Sequence, residues 1–177
     1  MKPMRRADRQ VTDPTEILAI LTEEKVCRLA MVDEAGAYIV PLNFGYTLSA
    51  QSEAHTTEGL PQALTLYFHS ASSGHKIDAL RANSRVCFEI DGAHQMVLTE
   101  AFTDCSYHYH SIIGSGEVEF ITDSAARMDA MVALMQQQSG MMPEAIRAMP
   151  RDERWMKNEV MAVFALRVGE LSAKRHG

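Results

Sequence analysis

Cysteine is scarce in this chain: three residues among 177, Cys27, Cys87 and Cys105, odd in number and widely spaced. That spacing excludes a disulfide framework and a zinc knuckle, and Cys27 and Cys87, set inside apolar stretches, read as small hydrophobes. Long apolar runs are missing as well. Nothing approaches the roughly 20 residues that a spanning helix requires, and the opening MKPMRRADRQ lacks the apolar segment of a secretory signal. The expectation is a cytoplasmic protein with no membrane partner. Positive charge is not in surplus either: the formal net charge is -6, so nothing advertises nucleic acid or an acidic membrane. A glycine-rich dinucleotide fingerprint is absent too, which argues against a doubly wound sheet.

What is present is apolar substance. Hydrophobic residues make up 46% of the chain, too many for a disordered protein and enough for a real core at this length. One domain over residues 1–177, with an N-terminal helical arm, is expected. The twelve methionines fall at core or interface positions and form no metal-binding cluster.

The chain is organised around LYFHSASSGHKIDALRANSRVCFEID, Leu66 to Asp91. An apolar strand through Phe68 gives way to the polar segment His69 to Gly74. His75-Lys76 then opens a short helix that turns Ile77, Ala79 and Leu80 inward, and Arg85 to Ile90 forms the next strand. Strand, small-residue loop, lysine and helix start together can hold a phosphate. The loop exposes backbone N–H groups, the helix start favours an anion, and Lys76 supplies countercharge. An ordinary polar strand-to-helix turn with a solvated lysine has the same sequence pattern.

Around this centre the reading is mainly β. Asp13, Pro14 and Glu16 start a helix ending near Lys25. Val26 to Val32 is a strand with Cys27, Leu29 and Met31 on one side and Arg28 facing the other way among small residues. A second strand runs from Tyr38 to Tyr46, and Pro41 forces it to be bulged, irregular or at an edge. Leu48 to Gln62 is a loop with an exposed His55. Asp91 to His94 is read as a turn, and Cys105 to Phe120 as a long strand curled at Gly114 and Gly116. On it, His108 and His110 are taken as surface or interface histidines, with no third ligand to make a metal site. A Met-rich helix spans Ala125 to Gln138, Trp155 covers a pocket or a subunit boundary or anchors the last strand, and Val160 to Val168 closes the sheet before a basic tail, Lys174 to His176. Roughly five to seven strands and two clear helices make a small β barrel with peripheral helices.

The blocks MRRADRQVTDPTEILAIL, VCRLAMVDEAGAYIVPLNFGY, LYFHSASSGHKIDALRANSRVCFEID and YHSIIGSGEVEFI resemble one family. It is the 5-nitroimidazole-resistance branch of the pyridoxamine 5'-phosphate oxidase-like superfamily. The resemblance implies an FMN-binding split barrel and an FMN-dependent oxidoreductase, reducing nitroaromatic or other small acceptors, with antibiotic resistance as the associated trait. It also implies a homodimer with the cofactor between subunits. The cofactor residues it implies are Pro41, Leu42, Asn43, Phe68, His69, Ser70, Gly74, His75 and Lys76, with His69 at the active site. His75 stands where the pyridoxamine-phosphate oxidases carry an arginine, so the second phosphate cation is weaker or absent. A flavin- or heme-binding module without turnover is the alternative, since related split barrels bind such ligands with few catalytic side chains.

Overall fold

The computed structural model describes residues 4–49, 60–151, 154 and 159–177. A 3-10 turn at Ala7–Arg9 leads into a short strand, β1 (Gln10–Val11). Helix α1 (Pro14–Glu23) starts as its sequence dictates. Asp13 accepts from the Thr15 N–H at 2.9 Å and Pro14 fills the first turn, so Ile17, Ile20 and Leu21 can be buried. There follow β2 (Val26–Asp33), β3 (Gly36–Asn43), β4 (Gly45–Leu48), α2 (Leu60–Ala63) and β5 (Leu64–Ala71). The rest of the chain forms α3 (His75–Ala82), β6 (Arg85–Val97), β7 (Ser106–Phe120), α4 (Ser124–Ser139), α5 (Pro143–Ala148) and β8 (Met161–His176).

All strand pairs are antiparallel within one 8-stranded sheet, ordered β3-β2-β6-β7-β8-β5-β4 with β1 added to β8. The two ends of that order are one run of chain, because only Phe44 separates β3 from β4. β3 pairs with β2 and β4 with β5, so the sheet returns on itself as a barrel. Closure is incomplete. The β4–β5 ladder ends at Gly45↔Tyr67. Continuing its register would set Asn43 opposite His69 and Leu42 opposite Ser70, but there β3 pairs only with β2 and β5 only with β8. Pro41 has no N–H to give a partner on that side, which suits the edge it occupies. The barrel is split between these two lips.

Inside the barrel lie Leu29, Met31, Leu66, Phe68, Phe88, Ile90, Ile112 and Phe164, all buried. Phe68 stacks on Phe164 with centroids 5.4 Å apart. The curl expected near Gly114 and Gly116 is a bulge at Ser115/Gly116, where Gly169 of β8 is the extra residue. Helix α4 crosses β4 so closely that a Cβ on Gly45 would lie 2.4 Å from the Leu134 backbone.

Several sequence readings give way here. Asp91 to His94 is no turn: β6 runs through it with a register shift between Gly92 and Gln95 and a positive φ of 53° at Ala93. The basic tail is strand, since Lys174 pairs with both Gln10 and Ser111. His110 is no surface histidine: it is 2% exposed, with its Nε2 2.8 Å from the Glu24 carboxylate. Cys87 is exposed, because it shares the outer face of β6 with Arg85 and Glu89. Helix α4 buries Ala130, Val132, Ala133, Leu134 and Arg127, leaving Met128, Met131 and Met135 half-buried. His55 and Trp155 lie outside the described residues.

Candidate functional site

Side-chain alternation along β5 turns Phe68 into the core and His69 outward. Phe68 can therefore offer only main chain to the split. The His69 imidazole remains accessible and makes no hydrogen bond among the described residues. Partial burial, and secondarily the charge of Lys76, push its pKa below the ordinary imidazole value. Ser70 donates its hydroxyl to the Ala71 carbonyl at 2.9 Å, and Ser72 donates to the Glu159 carbonyl at 2.6 Å. The second bond ties the loop to the approach of β8.

The turn into α3 requires glycine. Gly74 has φ +110°, and a Cβ built there would meet nothing within 4 Å, so the space beside it is open. Its carbonyl accepts from the Ile77 and Asp78 N–H groups at 2.8 and 3.1 Å. The amides of His75 and Lys76 sit in the first turn, where no intrahelical acceptor exists. Ile77, Ala79 and Leu80 are buried and hold this helix start in place.

Lys76 is half-buried and has no ion-pair or hydrogen-bond partner among the described residues. Desolvation lowers its pKa, an imbalance that an incoming anion corrects. His75 is engaged differently. Its Nε2 is hydrogen-bonded to the Asp33 carboxylate, and its ring stacks on Tyr38 with centroids 4.2 Å apart. That bond, followed by one from the Ala35 N–H, holds the Asp33 pKa below the usual carboxylate range.

On the other lip, Pro41 is exposed and Leu42 is half-buried against the core. Asn43 is tethered: its Nδ2 donates to Gln138 Oε1 at 2.9 Å and to the Lys25 carbonyl at 3.3 Å. The Gln138 amide donates in turn to the carbonyls of Lys25 (3.0 Å) and Phe44 (2.9 Å). The sequence-predicted residues thus fall into three groups. His69 and Lys76 are coupled by charge, His75 joins Asp33 and Tyr38, and Asn43 joins the end of α4. Asp33, Tyr38 and Gln138 were not foreseen, because in the sequence the first reads as a turn residue, the second as strand and the third as helix.

The donor set is one for an anion: an ammonium without a partner among the described residues, first-turn amides and open space beside Gly74. Asp33, from the β2–β3 turn, is occupied by His75, and Asp78 stands in the same first turn of α3. A second surface lies on the outer sheet face, where Val32 is 58% and Ile39 61% exposed. They share a groove of about 620 Å³ with Ala30, Cys87, Gly116 and Val168.

A family model described as Pyridoxamine 5'-phosphate oxidase matches residues 13–175. No curated protein matches the chain. Among solved structures, a candidate 5-nitroimidazole antibiotic resistance protein from Bacteroides thetaiotaomicron is similar at TM-score 0.71 and 23% identity, over 94% of this chain and 86% of that one. The flavocytochrome Anf3 from Azotobacter vinelandii is similar at TM-score 0.73 and 18% identity, over 99% and 72%. An FAD- and heme-binding protein from Mycobacterium smegmatis is similar at TM-score 0.71 and 16% identity, over 94% and 73%. At these identities the likeness speaks for the fold, a split barrel with peripheral helices.

Proposed function

Because the chain belongs to the pyridoxamine 5'-phosphate oxidase family, we propose that it is an FMN-dependent oxidoreductase acting on small acceptors, nitroaromatics among them. The observation that carries this reading is the half-buried Lys76 at the start of α3, without a partner among the described residues and beside the split in the barrel. Lys76 and the free amides of His75 and Lys76 would hold the phosphate. The lips at Pro41–Asn43 and Phe68–Ser70 would flank the rest of the cofactor. FMN, when bound, supplies the redox chemistry.

His69 is the side chain left for the acceptor. Its lowered pKa keeps the ring neutral near neutral pH, so it presents an N–H that orients an electron-rich oxygen. Its proton-donating form is populated only at more acid pH. The outer face bearing Val32 and Ile39 is large and apolar enough to be covered by a second copy, and a homodimer with the cofactor between subunits follows from that reading.

The test combines spectra and turnover. Purified protein with added FMN should show a flavin band near about 450 nm, whereas a heme module would show a Soret band. Anaerobic reduction of a nitroaromatic, with reduced nicotinamide as donor, is then compared for wild type and His69→Ala after flavin occupancy is measured. A sharp loss at full occupancy supports the role of His69. Unchanged turnover leaves His69 a bystander, and no turnover in wild type with any donor favours the binding module resembling the flavocytochrome and the heme-binding neighbour.

A further inference from the structure

Helix α4 has a second side that the flavin reading does not use. Met128, Met131 and Met135 recur at helical spacing along it, half-buried, opposite the face on which Ala130, Ala133 and Leu134 are buried. This stripe looks toward α5 and the start of β8. With Ile146, Met149 and Met161 it lines an open cavity of about 290 Å³. Polar contacts hold the walls of that cavity in place. Arg127, wholly buried, donates to the Met161 carbonyl at 3.0 Å and to the Ile121 carbonyl at 3.3 Å, which fixes the entry of β8 against α4. Asp129 of α4 accepts from Arg147 of α5 at 2.6 Å. Arg127, Asp129 and Arg147 do not themselves line the cavity, so its shape does not depend on side chains meeting across it.

The lining is chemically one-sided. Five of its residues are methionines, whose unbranched thioethers adapt to a guest and make favourable contacts with aromatic rings. Its one charged residue is Arg151, whose Nη1 donates to the Arg147 carbonyl at 3.3 Å. Among the described residues no carboxylate lines the cavity or pairs with Arg151. A guanidinium fork at the edge of an apolar cavity matches a carboxylate carried on an apolar body. The volume is at the lower end for small-molecule sites and suits one or two fused rings. A soft metal cation, the other guest that thioethers favour, is opposed by the arginine in the same lining. We infer that the cavity binds a small aromatic carboxylate, with its ring among the methionines and its carboxylate on Arg151. None of the residues assigned to the flavin lines this cavity. It meets the flavin site only through the β5–β8 ladder, where Met161 pairs with Ala71, two residues beyond His69.

The probe is naphthoate, with naphthylmethanol as its uncharged counterpart, titrated at neutral pH into the whole chain labelled at its methionine methyls and followed by NMR. Ring currents should displace the signals of Met128, Met131, Met135, Met149 and Met161 until the site saturates, while Met31 in β2 and Met96 in β6 stay in place. The acid should bind roughly three- to ten-fold more tightly than the alcohol, and Arg151→Leu should erase that preference. Arg151 is exposed, so its replacement leaves the fold intact. Excess FMN should not displace naphthoate, which separates this cavity from the flavin site. Unmoved methyl signals in the lining, equal affinity for acid and alcohol, or displacement by FMN would each overturn the inference. So would lining signals that respond to Trp155→Ala or to protein concentration but not to naphthoate, since the cavity would then belong to the chain itself or to a second copy.

Discussion

Gly45→Ala probes the contact that sets the shape of the split. The added Cβ would lie 2.4 Å from both the Cα and N of Leu134 and 2.5 Å from the carbonyl carbon of Ala133. Carbon–carbon contacts relax at about 3.5–4.0 Å, so the overlap exceeds about 1 Å and falls on helix backbone. Nor can α4 slide away freely. Gln137 donates to the carbonyls of Leu21 and Glu24, both at 2.7 Å, and Gln138 donates to Phe44. Overpacking of this kind costs about 1–3 kcal/mol, here toward the upper end. Gly45 has no positive φ, so alanine recovers about 0.4–1 kcal/mol by restricting the unfolded chain. The net loss is about 2 kcal/mol, or about 4–8 °C in Tm for a chain of this size. Urea melts of wild type and Gly45→Ala read it directly, with Gly169→Ala as control: there the nearest atom to the new Cβ is 3.7 Å away. An unchanged or raised midpoint for Gly45→Ala would refute the reasoning, because it would mean that α4 is not seated on β4.

Two further outcomes are expected. If the outer face is covered by a second copy, Cys87, exposed in a single chain, should resist a thiol reagent at micromolar protein and react on dilution into monomer. Reaction at full speed in the concentrated protein would mean that the face is open. His69 should titrate by NMR below the ordinary imidazole value of about 6.5 and move up in Lys76→Ala, though not fully, because burial is the larger cause. The sign for stability follows. The unfolded chain takes up this proton first as pH falls, so His69 costs stability below about pH 6.5 and nothing above it, and His69→Gln should flatten that part of the acid melt.

The legible parts of the sequence were those with a local cause. The Asp13 cap, the Cys27/Leu29/Met31 alternation, the inward face of α3 and the Gly114/Gly116 bend each follow from a period or a residue preference, and each is present. Pro41 left an irregularity, a bulge or an edge open; the structure shows the edge, and β3 and β4 diverge at Phe44 to make the split. Nonlocal matters were opaque. Cys27 and Cys87 sit in similar apolar strands, yet only the β2–β6 pairing decides that one thiol is buried and its pKa pushed up while the other faces outward. Arg28, read as facing away from the core among small residues, finds Glu89 at 2.9 Å and Asp91 across β6. The partnership of Asp33 with His75 spans a hairpin turn and a helix start, and no spacing in the chain announces it. Likewise the basic tail read as polar, while its Lys174 lies between β1 and β7, next to the buried Ala173.

The most direct test of the central claim is a paired titration of FMN and riboflavin into wild type and Lys76→Ala, followed by quenching of flavin fluorescence. The two ligands differ only in the phosphate, so their ratio reports on the one group Lys76 is assigned to hold. A charge-assisted hydrogen bond at a half-buried ammonium is worth about 1.5–3 kcal/mol. Lys76→Ala should therefore lose roughly ten- to a hundred-fold in FMN affinity while riboflavin binding stays as it was. Equal losses for both flavins, or no loss for either, would contradict a phosphate site at the start of α3.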